Sequence, residues 1–171
     1  MGPLGHCAVG MAAKPLAPRV SLGVLLIAPF ALDLLAIELA GIEGGAKGIP
    51  WSHGLFMSVV WSALAGLVGA GMFRDRRSGV VIGLLVFSHW VLDFISHPIP
   101  FASFSWRHWQ WDYGHPLPPD LPLLFANSPK VGLGLYNHIS AVEATLLEAC
   151  MFAAGTAVYI AHVRHRRKPS C

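Results

Sequence analysis

The sequence predicts an all-α fold: an integral membrane four-helix bundle with a short N-terminal half-membrane helix and an aromatic extracytoplasmic loop. The first observation is composition, because 54% of the 171 residues are hydrophobic and only 12% are charged, about half the charged share of a soluble domain. The second is a set of four apolar runs, each long enough to cross a bilayer as a helix. The third is that basic residues cluster at the ends of these runs, as topology signals do.

The predicted elements form one membrane domain, residues 1–171. Residues 4–13 make an apolar helix that is too short to span a bilayer. The first span is interrupted by Pro29, because proline removes a hydrogen bond from a helix interior, and the second begins after Ser52 as its N-cap. The spans cover residues 21–42, 51–73, 79–97 and 131–163, and the outer loop covers residues 98–130.

The distribution of basic residues predicts the topology. Nine of the twelve Lys and Arg residues lie in the N-terminal segment, in the loop at residues 74–77 or in the C-terminal tail. The other three, Lys47, Arg107 and Lys130, lie in the two remaining loops. Four spans put these two groups on opposite faces, so the positive-inside rule predicts that both termini are cytoplasmic. The N-terminus also lacks the basic region and cleavage site of a signal peptide.

Several classes of partner and site are excluded by the sequence. The pI is near 9.0, but no nucleic-acid-binding motif accompanies the basic residues, so the expected partner is membrane lipid and not nucleic acid. The three cysteines are widely separated and predict neither a metal-binding pair nor a disulfide framework. There is no P-loop, dinucleotide fingerprint or nucleophile elbow. We interpret Gly66, Gly69 and Gly71 as permitting close helix packing.

An ionisable stripe lies inside the third apolar run. His89, Asp93 and His97 stand at i, i+4 and i+8, so they share one face of a helix. Burying such groups in hydrocarbon costs several kcal/mol unless they are paired, bind a metal or line a wet cavity. Imidazole and carboxylate at this spacing suit a divalent metal such as Zn, Mn or Fe. A hydrogen-bonded His–Asp pair that joins helices is the alternative.

Polar residues from four segments are predicted to lie at one depth. Counting about 1.5 Å of helix rise per residue from the nearest cytoplasmic basic residue gives about 18 to 24 Å for each of them. These residues are His6, Asp33, His89, Asp93 and Glu148. The same count places His53 and Glu143 about 10 Å further out. The shared depth predicts that the first five lie together.

Three of these residues have simpler interpretations as well. His6 could be a terminal histidine without a role, and His53 could be a helix-start residue beside Ser52. A protonated Glu148 could hydrogen-bond a neighbouring helix. Asp33 is harder to explain in this way, because an isolated carboxylate within a span needs a cation or a proton.

The order of motifs along the chain resembles a bacterial family of membrane-bound, metal-dependent hydrolases, distantly related to the zinc-dependent phospholipase C and single-strand nuclease superfamily. The resemblance covers nearly the whole chain except residues 99–118, a Trp-rich segment that looks like an insertion, and His138 also departs from the family's pattern. The motifs that carry it are Gly5-His6-Cys7-Ala8-Val9-Gly10, Ala31-Leu32-Asp33-Leu34-Leu35, Trp51-Ser52-His53-Gly54-Leu55, Phe87-Ser88-His89-Trp90-Val91-Leu92-Asp93-Phe94, residues 129–137 and Ala144-Thr145-Leu146-Leu147-Glu148.

The resemblance implies a metal centre and a reaction. The ligands would be His6, Asp33, His53, His89 and Asp93, and the ion would be Zn, with Mn or Fe as alternatives. Asp33 or Asp93 could bridge two metals, and Glu148 could act as a base or orient a ligand histidine. A lipid or phosphoester substrate in a bacterial inner membrane would follow from the depth of the site and the family analogy.

Two other function classes stay open. The chain could be a non-catalytic accessory subunit that docks a larger membrane complex through its Phe101–Trp111 loop. Paired histidines on facing helices could also ligate haem.

Overall fold

A computed structural model describes residues 2–43, 52–96, 103–105, 110–112 and 133–166, with side chains given for 2–38, 52–96 and 133–166. The described chain is predominantly α-helical, as predicted. The helices, numbered in chain order, are α1 (Pro3–Ala12), α2 (Leu22–Ile27), α3 (Ala31–Glu43), α4 (Leu55–Phe73), α5 (Arg76–Ser96) and α6 (Ala141–Arg166). Single 3₁₀ turns cover Ala28–Phe30 and Leu135–Asn137.

Three of these helices are long and apolar enough to cross a membrane: α4, α5 and α6. For three of the four runs they confirm the prediction of a helix long and apolar enough to cross a bilayer. The first predicted span, residues 21–42, is helical but consists of α2, a 3₁₀ turn and α3. The break falls at the predicted place, because the 3₁₀ turn contains Pro29, which lacks the N–H that a continuous α-helix needs.

The last helix begins at Ala141 and not at Val131, so the predicted start of this span was wrong. Gly134 has φ of 60°, a left-handed conformation that glycine adopts without a steric penalty, and the backbone turns there. A capping box then starts the helix: Ser140 Oγ accepts from Glu143 N–H, and the Glu143 carboxylate accepts from Ser140 N–H at 2.7 Å. The Ser-x-x-Glu pattern is the sequence signature of such a start. Glu143, which the depth count had placed about 10 Å further out than the other polar residues, therefore has a structural role as a helix cap.

Helices α4 and α5 form an antiparallel hairpin with glycine at its contact. A Cβ on Gly66 would lie 3.1 Å from Gly79 O, and one on Gly69 would lie 2.6 Å from the side chain of Ile82. Close helix approach is therefore confirmed as the role of Gly66 and Gly69. Gly71 was wrongly included, because a Cβ there would meet nothing within 4 Å.

Helix α1 lies parallel to α6. Gly155 brings the two helices together, because a Cβ at that position would overlap the carbonyl of Ala8. Towards the C-terminal end of α1, the hydroxyl of Thr156 contacts Met11 Sδ at 3.2 Å. The short first helix is thus packed along the long apolar helix α6.

The apolar core lies between the first predicted span and α5. Its fully buried side chains include Leu25 and Leu32 from the first span and Val86 from α5. Leu32 directly precedes Asp33, and Val86 lies about one turn before His89. The core therefore fixes the backbone that carries two of the predicted site residues.

Little of the predicted outer loop is described. Strands β1 (Ser103–Ser105) and β2 (Gln110–Asp112) pair antiparallel, with Phe104 opposite Trp111. Side chains of the Phe101–Trp111 segment, and so its predicted docking role, lie outside the described residues.

Candidate metal centre

Five predicted site residues come together in the structure from four separate segments of the chain. Asp33 lies in the first turn of α3, and His89 and Asp93 lie one turn apart on α5. His6 comes from α1, and His53 comes from the turn just before α4. The predicted meeting of His6, Asp33, His89 and Asp93 is found, and His53 joins them.

The ligand atoms form two triads that share His89. One consists of His6, His89 and Asp93, and the other of Asp33, His53 and His89. Within each triad the ligand atoms lie within 4.8 Å of one another. Each group could hold a metal ion.

The Nε2 atom of His89 is the centre of the arrangement. It lies 3.1 Å from Asp93 Oδ2, 3.4 Å from Asp33 Oδ1 and 3.2 Å from His53 Nε2. One ring nitrogen carries at most one proton, so His89 Nε2 can donate to only one of three neighbours. A cation between these atoms would interact with all of them at once.

The remaining contacts complete a chain of donor atoms. His6 Nε2 lies 3.6 Å from Asp93 Oδ1, and His53 Nε2 lies 3.3 Å from Asp33 Oδ1. Nitrogen and oxygen ligands bonded to one zinc ion in a tetrahedron lie about 3.3 to 3.6 Å apart. These two separations, and the 3.4 Å between His89 Nε2 and Asp33 Oδ1, fit that spacing. Imidazole with carboxylate is also a donor set that zinc accepts.

Two of the imidazole rings, those of His53 and His6, each have a contact that orients them. Ser52 Oγ lies 2.7 Å from His53 Nδ1, which leaves His53 Nε2 facing His89 and Asp33. His6 packs edge-on against Phe30, with ring centroids 5.4 Å apart. Among the described residues the Nδ1 atoms of His6 and His89 are buried without a hydrogen-bond partner.

The cluster is closed on the side of the histidines and more open at Asp33. The side chains of His6 and His89 are 3% and 2% exposed, and that of Asp93 is 17% exposed. The side chain of Asp33 is 46% exposed. In the described part of the chain, Asp33 is therefore the most accessible side chain of the cluster.

Two predictions about the second span need correction. Ser52 does not cap α4, whose N-cap is Gly54; the Ser52 hydroxyl contacts His53 instead. The rise count placed His53 about 10 Å outside the other ligands, whereas its Nε2 lies 3.2 Å from that of His89. The chain bends at Gly54 before the helix starts, so the depth of His53 cannot be counted along a continuous helix.

Glu148 belongs to neither triad. It is only 8% exposed, and its Oε1 accepts hydrogen bonds from the backbone N–H of Gly2 and from Tyr136 OH, the latter at 2.8 Å. Burial first, and then the hydrogen bond to Glu148, raise the pKa of Tyr136. The sequence did not identify Tyr136 as a site residue, although it lies in the motif at residues 129–137 that contributes to the family resemblance.

Of the two other histidines named in the sequence analysis, His138 and His97, the structure describes only His138, which belongs to neither triad. His138 is exposed just before α6. His97, the third member of the predicted stripe on α5, lies outside the described residues.

Comparison of the chain with protein-family models, with curated proteins and with solved structures finds no match to any of them.

Proposed function

We propose that this protein is a membrane-embedded, metal-dependent hydrolase that acts on a lipid or phosphoester substrate. The observation that carries the proposal is the convergence of two carboxylates and a second imidazole on His89 Nε2, at separations of 3.1 to 3.4 Å from that atom. A third imidazole, that of His6, lies 3.6 Å from one of the two carboxylates. Neighbouring apolar helices would not bury such a group without a compensating ion or proton. The motif resemblance to membrane-bound, metal-dependent hydrolases supports the same conclusion.

The metal is proposed to be zinc, with Mn or Fe also suited to the donors. His6, His53 and His89 would supply nitrogen ligands, and Asp33 and Asp93 would supply oxygen ligands. A bound divalent ion polarises a phosphoester oxygen and lowers the pKa of a bound water towards neutrality. Asp33 is the proposed site residue nearest to incoming substrate, because it is the most exposed of the five.

The proposed setting is a bacterial inner membrane. The first predicted span would cross the bilayer together with α4, α5 and α6, giving four crossings with both termini in the cytoplasm. Support comes from the basic residues. Arg74 follows α4 and Arg76 and Arg77 are the first two residues of α5, whereas Arg164 and Arg166 lie in the last turn of α6. Because α4 and α5 are antiparallel and α6 would cross back after the outer loop, both basic groups would then lie on the same side of the membrane.

The function is tested with detergent-purified protein loaded with Zn²⁺ and quantified by elemental analysis. Phospholipid vesicles and a lipid-linked phosphate are supplied as substrates, and release of the phosphate-bearing headgroup is measured. We expect hydrolysis by the wild-type protein and a loss of at least about 100-fold in Asp33→Asn, as is common when groups that act in the transition state are removed.

Glu38→Gln is the matched control, because Glu38 is an exposed carboxylate on the same helix as Asp33. It should keep both the metal and the activity. Full metal content without cleavage of any phosphoester would end the hydrolase proposal. Equal activity in wild-type and Asp33→Asn protein would do the same.

A further inference from the structure

Helix α1 has an unusual N-terminus. Its N-cap residue is Gly2, which has no side chain to accept the free N–H groups of the first turn. Such groups need an acceptor, and the positive end of the helix dipole favours a carboxylate. The Glu148 carboxylate of α6 lies at this position and accepts from Gly2 N–H. The first helix is therefore capped by a residue 146 positions away in sequence.

The cap fits Gly2 closely. A Cβ at residue 2 would lie 2.5 Å from Glu148 Oε2, so a larger residue there would displace the carboxylate or the helix. The Tyr136 hydroxyl donates to the same carboxylate oxygen, Glu148 Oε1, as the Gly2 N–H does. Together with the Gly155–Ala8 contact, these interactions fix the position of α1 along α6.

That position decides where His6 lies. His6 follows Gly2 by about one helical turn, and its Nε2 must reach Asp93 on α5. A slide of one residue along α1 would move His6 by about 1.5 Å. Metal–ligand bonds tolerate only about 0.2 Å, so such a slide would remove His6 from the metal.

We propose that Glu148 is a positioning residue: it caps α1 across the helix interface and thereby holds His6 at the metal centre. The inference rests on the proposed metal-dependent function and deepens it. It assigns Glu148 to orientation of a ligand and not to the role of base, because its contacts in the structure are with Gly2 and Tyr136.

The test uses Co²⁺ as a spectroscopic probe of the full-length protein in detergent. Glu148→Ala should lower Co²⁺ affinity by about 10- to 100-fold, the usual cost of losing a residue that orients a ligand. Its visible spectrum should match that of His6→Ala, with one ligand fewer than wild type. Glu148→Gln keeps an acceptor oxygen and should retain the wild-type spectrum.

A double-mutant cycle separates positioning from general destabilisation. In a His6→Ala background, Glu148→Ala should cause no further loss of Co²⁺ affinity, because the ligand that it positions is already absent. In a His53→Ala background, Glu148→Ala should still lower Co²⁺ affinity by about 10- to 100-fold. Tyr136→Phe should give a smaller effect in the same direction.

Equal losses from Glu148→Ala in both backgrounds, or an unchanged spectrum in Glu148→Ala, would overturn the inference. The cycle measures metal binding and not turnover, so its outcome is independent of whether the protein is a hydrolase. If the protein binds Co²⁺ and the cycle gives the expected losses but no substrate is cleaved, only the hydrolase proposal is refuted. A wild-type protein that binds no Co²⁺ would refute both.

Discussion

The imidazole rings of His6 and His89 stack almost parallel, with centroids 4.4 Å apart and an interplanar angle of 13°. The stack joins α1 to α5 at the candidate metal centre. Both rings are nearly fully buried, and their Nε2 atoms contact different oxygens of Asp93. The stack therefore holds the two imidazoles side by side against the same carboxylate, as two ligands of one metal ion would be held.

The first prediction concerns His89, the residue shared by both triads. His89→Ala should lower Zn²⁺ affinity more than either His6→Ala or His53→Ala, because each of those removes a ligand from one triad only. Isothermal titration of the metal-free protein measures the three affinities. Similar losses in all three variants would show that His89 has no central role.

A second prediction concerns Ser52, whose hydroxyl lies 2.7 Å from His53 Nδ1. Ser52→Ala should lower Zn²⁺ affinity by about 10- to 100-fold, because the imidazole loses the contact that orients it. Ser88→Ala is the matched control: Ser88 lies beside His89 in sequence, but its hydroxyl bonds Leu85 O within its own helix. If both serine variants bind zinc like wild type, Ser52 does not support the ligand.

The site shows what the sequence could and could not predict. The i, i+4 spacing of His89 and Asp93 was sufficient to place both on one face of α5, since helical periodicity is a local property. The kink at Pro29 was also predictable, because it follows from the chemistry of one residue.

The positions of His53 and Glu148 were not predictable in the same way. Counting helix rise assumes an unbroken helix, and Gly54 breaks it directly after His53. Glu148 was predicted at the depth of the cluster, but its partner depends on how α1 docks on α6. That docking is set by the contact of Gly155 with Ala8, a tertiary feature with no periodic signal.

A third prediction tests that docking. Gly155→Ala places a Cβ against the Ala8 carbonyl, and overpacking of this kind typically costs about 1 to 3 kcal/mol. Gly71→Ala is the control, because a Cβ there meets nothing within 4 Å; removing a flexible glycine should stabilise the protein by about 0.4 to 1 kcal/mol. Thermal unfolding in detergent measures both changes. Equal stability of the two variants would contradict the close α1–α6 contact.

The last prediction concerns pH and Asp75, which precedes α5 in the short loop after α4. Its carboxylate accepts from the hydroxyl and, at 3.1 Å, from the backbone N–H of Ser78, and it lies 3.9 Å from Arg19 Nη1. The Ser78 hydroxyl above all, with a smaller contribution from Arg19, lowers the pKa of Asp75. A carboxyl whose pKa is lower in the folded than in the unfolded state stabilises the fold above the unfolded value, near 3.9.

This stabilisation is lost as pH falls through the lowered folded pKa. Asp75→Asn should therefore be less stable than wild type at pH 7, and the difference should shrink below about pH 4. Metal-free protein is used for both, so that protonation of the candidate ligands does not enter the comparison through metal loss. Unfolding midpoints across this pH range give the result. A gap between the two proteins that stays constant from pH 7 to pH 3 would mean that the charge of Asp75 contributes nothing to holding the start of α5.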